Sequence, residues 1–379
     1  LNLEYLSSIF NSLSPLKIRQ ELCSRLITPR SNCEECLRIC PSKSITFFDG
    51  TLEVNQCCYC GMCVPACPNH VFKIDEDKIL EDASKNSQLI ITCSPVIKEL
   101  NAVKDKKKLT IINCFGQLYG ELLVKLLFQV QELTIYLDQE YCNKCLKYKA
   151  DNIYTVLDPF KGLIGEKYTA RLKIVNRQEE LLGLVNSSTS TRFEQDRREF
   201  FRSLLSNTRK VPQSLVNYTL EKLEPEGSQQ PKRLEVNNKN RPAKRLHLLH
   251  ALAREDSSHS SSDMALPYKY LRVKDCNLCP VCSKLCPTRA LEIRQVENKK
   301  ELVFNPQLCT ECNICQDVCH LKGIDWADQV LLKDFTNKKP VTVATGTSQQ
   351  CARCKTEFWY LQGVGATKKS CPWCKDILD

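Results

Sequence analysis

The chain has 379 residues, 42% of them hydrophobic and 25 of them cysteine, with a formal net charge of +10. That length fits roughly two to four domains with ordinary cores, and no run of ~18 apolar residues marks a membrane-spanning helix. Leu1 to Phe10 include Glu4 and lack a basic stretch leading into an apolar one, so no secretory leader is expected. So many cysteines without one point to metal ligation in a reducing, cytoplasmic setting rather than a disulfide framework.

Residues 1–29 are read as an N-terminal helical segment. From 30 to 80 cysteines dominate. Cys57-x2-Cys60-x2-Cys63-x3-Cys67-Pro68 puts three thiols on one tight loop, where each reaches a different iron of a cubane. The fourth thiol of such a run serves the neighbouring cluster. Gly61 suits the cramped loop. Cys33-x2-Cys36-x3-Cys40-Pro41 is the same run without its first cysteine, and Arg30 stands where that thiol would be. Exchange of the fourth cysteines completes one [4Fe–4S] set: Cys57, Cys60, Cys63 and Cys40. The other has only Cys33, Cys36 and Cys67 and stays open: it borrows Cys23 or Cys58, uses a non-cysteine ligand, holds a three-iron cluster, or is empty. Ser44 to Phe48 and Glu53-Val54 read as short strands around Asp49-Gly50.

The pattern changes over 86–185. Leu89–Thr92, Leu109–Asn113 and Leu133–Leu137 read as buried strands, with a helix from Leu118 to Val130 between the last two. Strand, helix, strand at this length implies parallel strands. Cys93 and Cys114 fall just after strands, and Cys142-x2-Cys145 just after the third. The carboxyl ends of parallel strands share one edge of the sheet, so these four thiols can converge. Either they bind a metal or cluster, or Cys93 and Cys114 are small buried hydrophobes and Cys142 and Cys145 hold zinc or nothing. The order strand–Cys114-Phe115-Gly116–helix–strand–Cys142-Asn143-Lys144-Cys145 resembles the delta subunit of methyl-viologen-reducing hydrogenase over about residues 87–157. That resemblance implies a [2Fe–2S] centre and electron relay between enzyme subunits.

Residues 186–270 read as a linker with two helices, Arg192 to Leu205 and Ala243 to Arg254, around a solvated connector. Lys244 and Arg245 are read as part of a wet face, or as a dock for an acidic partner. His247 and His250 have no cysteine partners nearby and are read as packing or surface residues.

From 271 to 335 the cysteine pattern returns in full. Cys276-x2-Cys279-x2-Cys282-x3-Cys286-Pro287 is followed by Cys309-x2-Cys312-x2-Cys315-x3-Cys319. The exchange rule gives two sets: Cys276, Cys279, Cys282 with Cys319, and Cys309, Cys312, Cys315 with Cys286. Ala290–Ile293 and Glu301–Phe304 repeat the strand pair of the N-terminal unit, so the chain holds an internal repeat. Both units resemble the bacterial two-cluster [4Fe–4S] ferredoxin family, over about 30–75 and 272–325. His320 stands where that family carries proline.

In 345–379, Cys351-x2-Cys354-x16-Cys371-x2-Cys374 has zinc-ribbon spacing: two knuckles whose four thiolates suit a closed tetrahedral site. Lys355 and Lys375 stand where the similar rubredoxin-like iron loops favour glycine.

The expected fold class is α+β multi-domain: two ferredoxin-like two-cluster modules, a small parallel α/β domain between them, and a C-terminal zinc ribbon. The cofactors are three [4Fe–4S] clusters with a fourth left open, one zinc, and the [2Fe–2S] centre of the resemblance. Each four-thiolate centre carries about −2, so three clusters and a zinc bring the charge from +10 to about +2, and the basic excess says little about nucleic acid. Stacking patterns for nucleic acid are missing, as are a dinucleotide fingerprint, a nucleophile–base pair and an open metal site. The expected role is a polyferredoxin-like, non-catalytic carrier of single electrons, a subunit or docking partner of a larger oxidoreductase. The alternative is an assembly or maturation factor for a redox metalloenzyme.

Overall fold

The computed structural model describes residues 16–99, 108–145, 152–186, 242–253, 263–296, 299–337, 339–361, 370–371 and 374. The expected helix Arg192 to Leu205 lies outside the described residues, as does the polar connector after it. The fold mixes helix and sheet. None of the described helices is long and apolar enough to cross a membrane.

Leu89 to Cys93 are all buried, a pattern that alternation cannot give and that suits a strand covered on both faces. This strand, β5 (Gln88–Cys93), lies at the centre of a parallel sheet. β6 (Leu109–Ile112) pairs on one side and β7 (Glu132–Tyr136) on the other. A strand the pattern did not announce, β8 (Leu172–Val175), pairs parallel beyond β7. Helix α1 (Gly120–Gln129) buries Leu122, Leu123, Val124, Leu126 and Leu127. An apolar surface that wide needs cover on more than one side. Part of that cover is helix α2 (Ala243–Leu252), which packs on α1.

Either side of this sheet lie antiparallel pairs. β1 (Leu16–Ile18), a strand inside the segment expected to be helical, pairs with β4 (Phe72–Ile74). β2 (Ile45–Phe48) and β3 (Thr51–Val54) pair around Asp49 and Gly50, both with positive φ (44° and 69°), which matches the twist of a tight hairpin. In the C-terminal half, β9 (Ala265–Val273) pairs with β12 (Ile324–Leu331), and β10 (Leu291–Val296) with β11 (Lys299–Phe304). β13 (Val341–Gln350) then adds to β11, and β14 (Glu357–Leu361) to β13. One four-stranded sheet therefore joins the Cys276–Cys319 region to the Cys351 knuckle.

A single apolar core runs from Leu16 through the parallel sheet and α2 to Leu266 and Phe335. A second surrounds the cysteines from Cys276 to Cys319, and a small third the C-terminal knuckles. Leu248 of α2 is fully buried in the first. Leu248→Ala is expected to cost about 2–5 kcal/mol, read as a lower denaturant midpoint. A Cβ on Gly120 would run into the Phe160 ring and the Val156 carbonyl. Gly120→Ala is therefore expected to cost about 1–3 kcal/mol in the same measurement.

Candidate metal centres

Three cysteine loops share one backbone form. The residues two past Cys57, Cys276 and Cys309 are Tyr59, Leu278 and Glu311, with φ of 55°, 53° and 57°. This conformation turns the N–H back onto sulfur. Tyr59 N–H donates to Cys57 Sγ at 3.3 Å and Leu278 N–H to Cys276 Sγ at 3.2 Å; Glu311 N–H does the same for Cys309. The last cysteine of all four runs is treated alike. Lys43, His70, Arg289 and Lys322, three residues past Cys40, Cys67, Cys286 and Cys319, are left-handed (φ 49°, 56°, 56° and 48°). Each donates its N–H to that cysteine's carbonyl. The N–H groups of Ser44, Val71 and Ala290 then donate to Sγ of Cys40, Cys67 and Cys286 at 3.3, 3.4 and 3.2 Å. A left-handed non-glycine residue costs roughly 1–2 kcal/mol. The same strain at equivalent places marks a backbone shaped for its sulfurs.

The thiols fall into groups. Burial pushes Cys282 up to about 12, with Cys276, Cys279 and Cys319 beside it adding to the rise. Burial likewise raises Cys315, followed by Cys309, Cys312 and Cys286. These last four line a cavity of about 340 Å³. Cys63 is raised by burial, then by Cys60, Cys57 and Cys40. They line a cavity of about 360 Å³ that Cys58 also touches. Cys36 is pushed up to about 12 by burial, then by Cys67, Cys23 and Cys33. A third cavity, about 330 Å³, is lined by those four thiols. Cys23 belongs to no cysteine run; of the two thiols the sequence offered to the open set, it is the one that lines this cavity, while Cys58 lines the other. The four middle cysteines also meet: burial pushes Cys142 up to about 12, with Cys93, Cys114 and Cys145 adding. Thiols raised this way are protonated near neutrality, so any metal they take must displace protons.

The C-terminal group is tighter. Sγ atoms of Cys351, Cys354, Cys371 and Cys374 all lie within 4.8 Å of one another, the one such group among the described residues. Cys354 and Cys371 Sγ are 3.7 Å apart. Bonds of about 2.3 Å to a single tetrahedral ion would place the sulfurs roughly 3.8 Å apart. The backbone N–H groups of Cys354 and Cys371 lower Cys351 to about 6. Lys355, where glycine would be easiest, is left-handed (φ 60°).

Helix α2 holds two of these loops. Lys244 and Arg245 face inward rather than to water. Lys244 Nζ donates to the carbonyls of Pro65 (2.6 Å) and Cys67 (3.1 Å), and burial lowers its pKa. Arg245 Nε donates to Cys309 O at 2.9 Å, and Nη2 to Glu311 Oε1 at 3.0 Å. Its guanidinium lies 3.1 Å from the Tyr268 ring centroid and 3.8 Å from Glu121 Oε1. His247 is buried, with Nε2 3.0 Å from Glu76 Oε2 and Nδ1 3.1 Å from Lys125 Nζ, while His250 is exposed.

Residues 275–322 match the family model of the 4Fe-4S dicluster domain. The matched stretch takes in every cysteine from Cys276 to Cys319, and it supports a ferredoxin-like iron–sulfur protein. With the cysteine group at the C-terminus, it suggests an iron–sulfur electron-transfer role. No curated protein matches the chain.

Arg245→Ala would take the cation away from Glu121 and Glu311, leaving them the Tyr268 Oη and Lys269 N–H donors, and would free the Cys309 carbonyl. Breaking a buried ion pair from one side costs about 3–5 kcal/mol. The variant is expected to unfold at correspondingly lower denaturant, with Arg245→Lys in between because lysine lacks the planar fork.

Proposed function

We propose that the chain is a cytoplasmic, polyferredoxin-like electron carrier that relays single electrons to or from a larger oxidoreductase, as its subunit or docking partner. The observation that carries this reading is the dicluster match over residues 275–322. The ligand sets are Cys276, Cys279, Cys282 with Cys319, and Cys309, Cys312, Cys315 with Cys286. A third [4Fe–4S] set is Cys57, Cys60, Cys63 with Cys40, supported by the common turn after the last cysteine of all four runs. Cys33, Cys36 and Cys67 belong to a further centre.

Cys93, Cys114, Cys142 and Cys145 are assigned a [2Fe–2S] centre, supported by their convergence at the carboxyl edge of the parallel sheet. Cys351, Cys354, Cys371 and Cys374 are assigned a single zinc on their spacing and close approach. Zinc has no redox chemistry, so this centre braces the hairpin β13–β14. Gly61, next to Cys60, packs directly against Gln117, three residues past Cys114, which sets the N-terminal thiols beside the middle group and supports relay between them.

Anaerobic iron, sulfide and zinc analysis with an EPR-monitored reductive titration tests this. About twelve or more irons per chain, reversible [4Fe–4S] signals and one zinc are expected. About eight irons with no reversible reduction would overturn the carrier reading.

A further inference from the structure

We propose that Cys23, Cys33, Cys36 and Cys67 hold a further [4Fe–4S] cluster, and that this cluster bridges the N-terminal thiol sites to the dicluster domain. The inference rests on the electron-carrier reading and completes the set that the cysteine spacing leaves one ligand short.

Three observations lead there. The cavity lined by these four thiols, about 330 Å³, matches in size the one lined by Cys286, Cys309, Cys312 and Cys315, about 340 Å³, which lies inside the matched dicluster stretch. Like thiol number and like room call for like cargo. Second, Arg30, which replaces the missing cysteine, is engaged elsewhere: its Nη1 donates to Val318 O at 3.2 Å, and it does not line the cavity. Third, Cys23 is held in place from both sides. Asn69 Nδ2 donates to Leu22 O at 2.9 Å and to Ser24 Oγ at 3.0 Å. The N–H groups of Leu26 and Ile27 donate to the Cys23 carbonyl.

The competing ligands fit less well. Cys58 lines the neighbouring cavity with Cys40, Cys57, Cys60 and Cys63. Glu35, the carboxylate on the cavity wall, turns to Arg38.

The bridging position follows from Asn69. Its Oδ1 accepts from Thr310 Oγ1 at 2.6 Å. Asn69 lines the Cys23 cavity, and Thr310 lines the cavity of the Cys309 set. One hydrogen bond therefore separates the walls of the two sites. An electron crossing here is lost by one cluster and gained by the other, with no bond made or broken. The sites then run in order from the middle group through the Cys40 set and the Cys23 set into the dicluster domain.

The test uses the full chain, reconstituted anaerobically, as Cys23→Ala and Cys58→Ala. Cys23→Ala is expected to lose about one to about four irons per chain, the span from a three-iron centre to an empty site. Loss of a single iron brings the oxidised-state EPR signal of a three-iron cluster. Cys58→Ala is expected to keep the parent's iron and spectra. Parent iron and spectra in Cys23→Ala, or the loss appearing in Cys58→Ala instead, would overturn the proposal. If Cys23→Ala does not accumulate folded, Cys23→Ser decides: an altered line shape for one cluster supports the site, and unchanged spectra overturn it. Absence of reversible reduction in the parent would sink the carrier reading instead, and the iron count would still report on Cys23.

Discussion

Two cations on one helix, Arg245 buried and Lys244 half-buried, hold the molecule's halves in register. Lys244 and Arg245 are adjacent, and each must find oxygen partners because an unpaired charge away from water costs several kcal/mol. The partners are carbonyls of the cysteine loops themselves, Pro65 and Cys67 for one cation, Cys309 for the other. The loops at Cys67 and Cys309 are thereby fixed against a single helical turn. That places Asn69 against Thr310 and Arg30 against Val318. Positive charge set behind the thiol loops also offsets the negative charge that metal-bound thiolates carry.

The same helix closes a polar cluster inside an apolar core. Glu76 is buried and accepts from Tyr119 Oη at 3.1 Å on both oxygens, with His247 Nε2 3.0 Å away. Tyr268 Oη donates to Glu121 Oε1 at 3.1 Å, beside Arg245. A buried carboxylate left unmatched would be costly, and satisfied networks specify one packing. α2 therefore seats in one position on α1, and the two cysteine regions follow it.

Much of this was legible where spacing or periodicity is local. Strands β5 to β7 and helix α1 announced themselves through unbroken or helically spaced aliphatic residues, and the hairpin β2–β3 through Asp49-Gly50. The parallel sheet followed from connection length. β8 escaped because Leu172–Val175 is short and only partly buried. The roles of Lys244 and Arg245 escaped for a different reason. A basic stretch reads as a wet face unless its acceptors are known, and these acceptors are backbone carbonyls 64 to 179 positions away in the chain. Cys23 was legible only as one of two candidates for the open set: ten residues before Cys33, it lies outside any cysteine run, and only the fold brings it beside Cys33, Cys36 and Cys67. The pairing of β13 with β11, which joins the C-terminal knuckle to the dicluster region, likewise left no local trace.

The proposed array of neighbouring redox sites is tested most directly by magnetic coupling between reduced centres. EPR spectra of the full chain, taken anaerobically as reduction proceeds, are predicted to broaden and split as adjacent clusters become paramagnetic together. In Cys23→Ala they should simplify. Fully reduced spectra that are a plain sum of isolated clusters, unchanged in that variant, would contradict it.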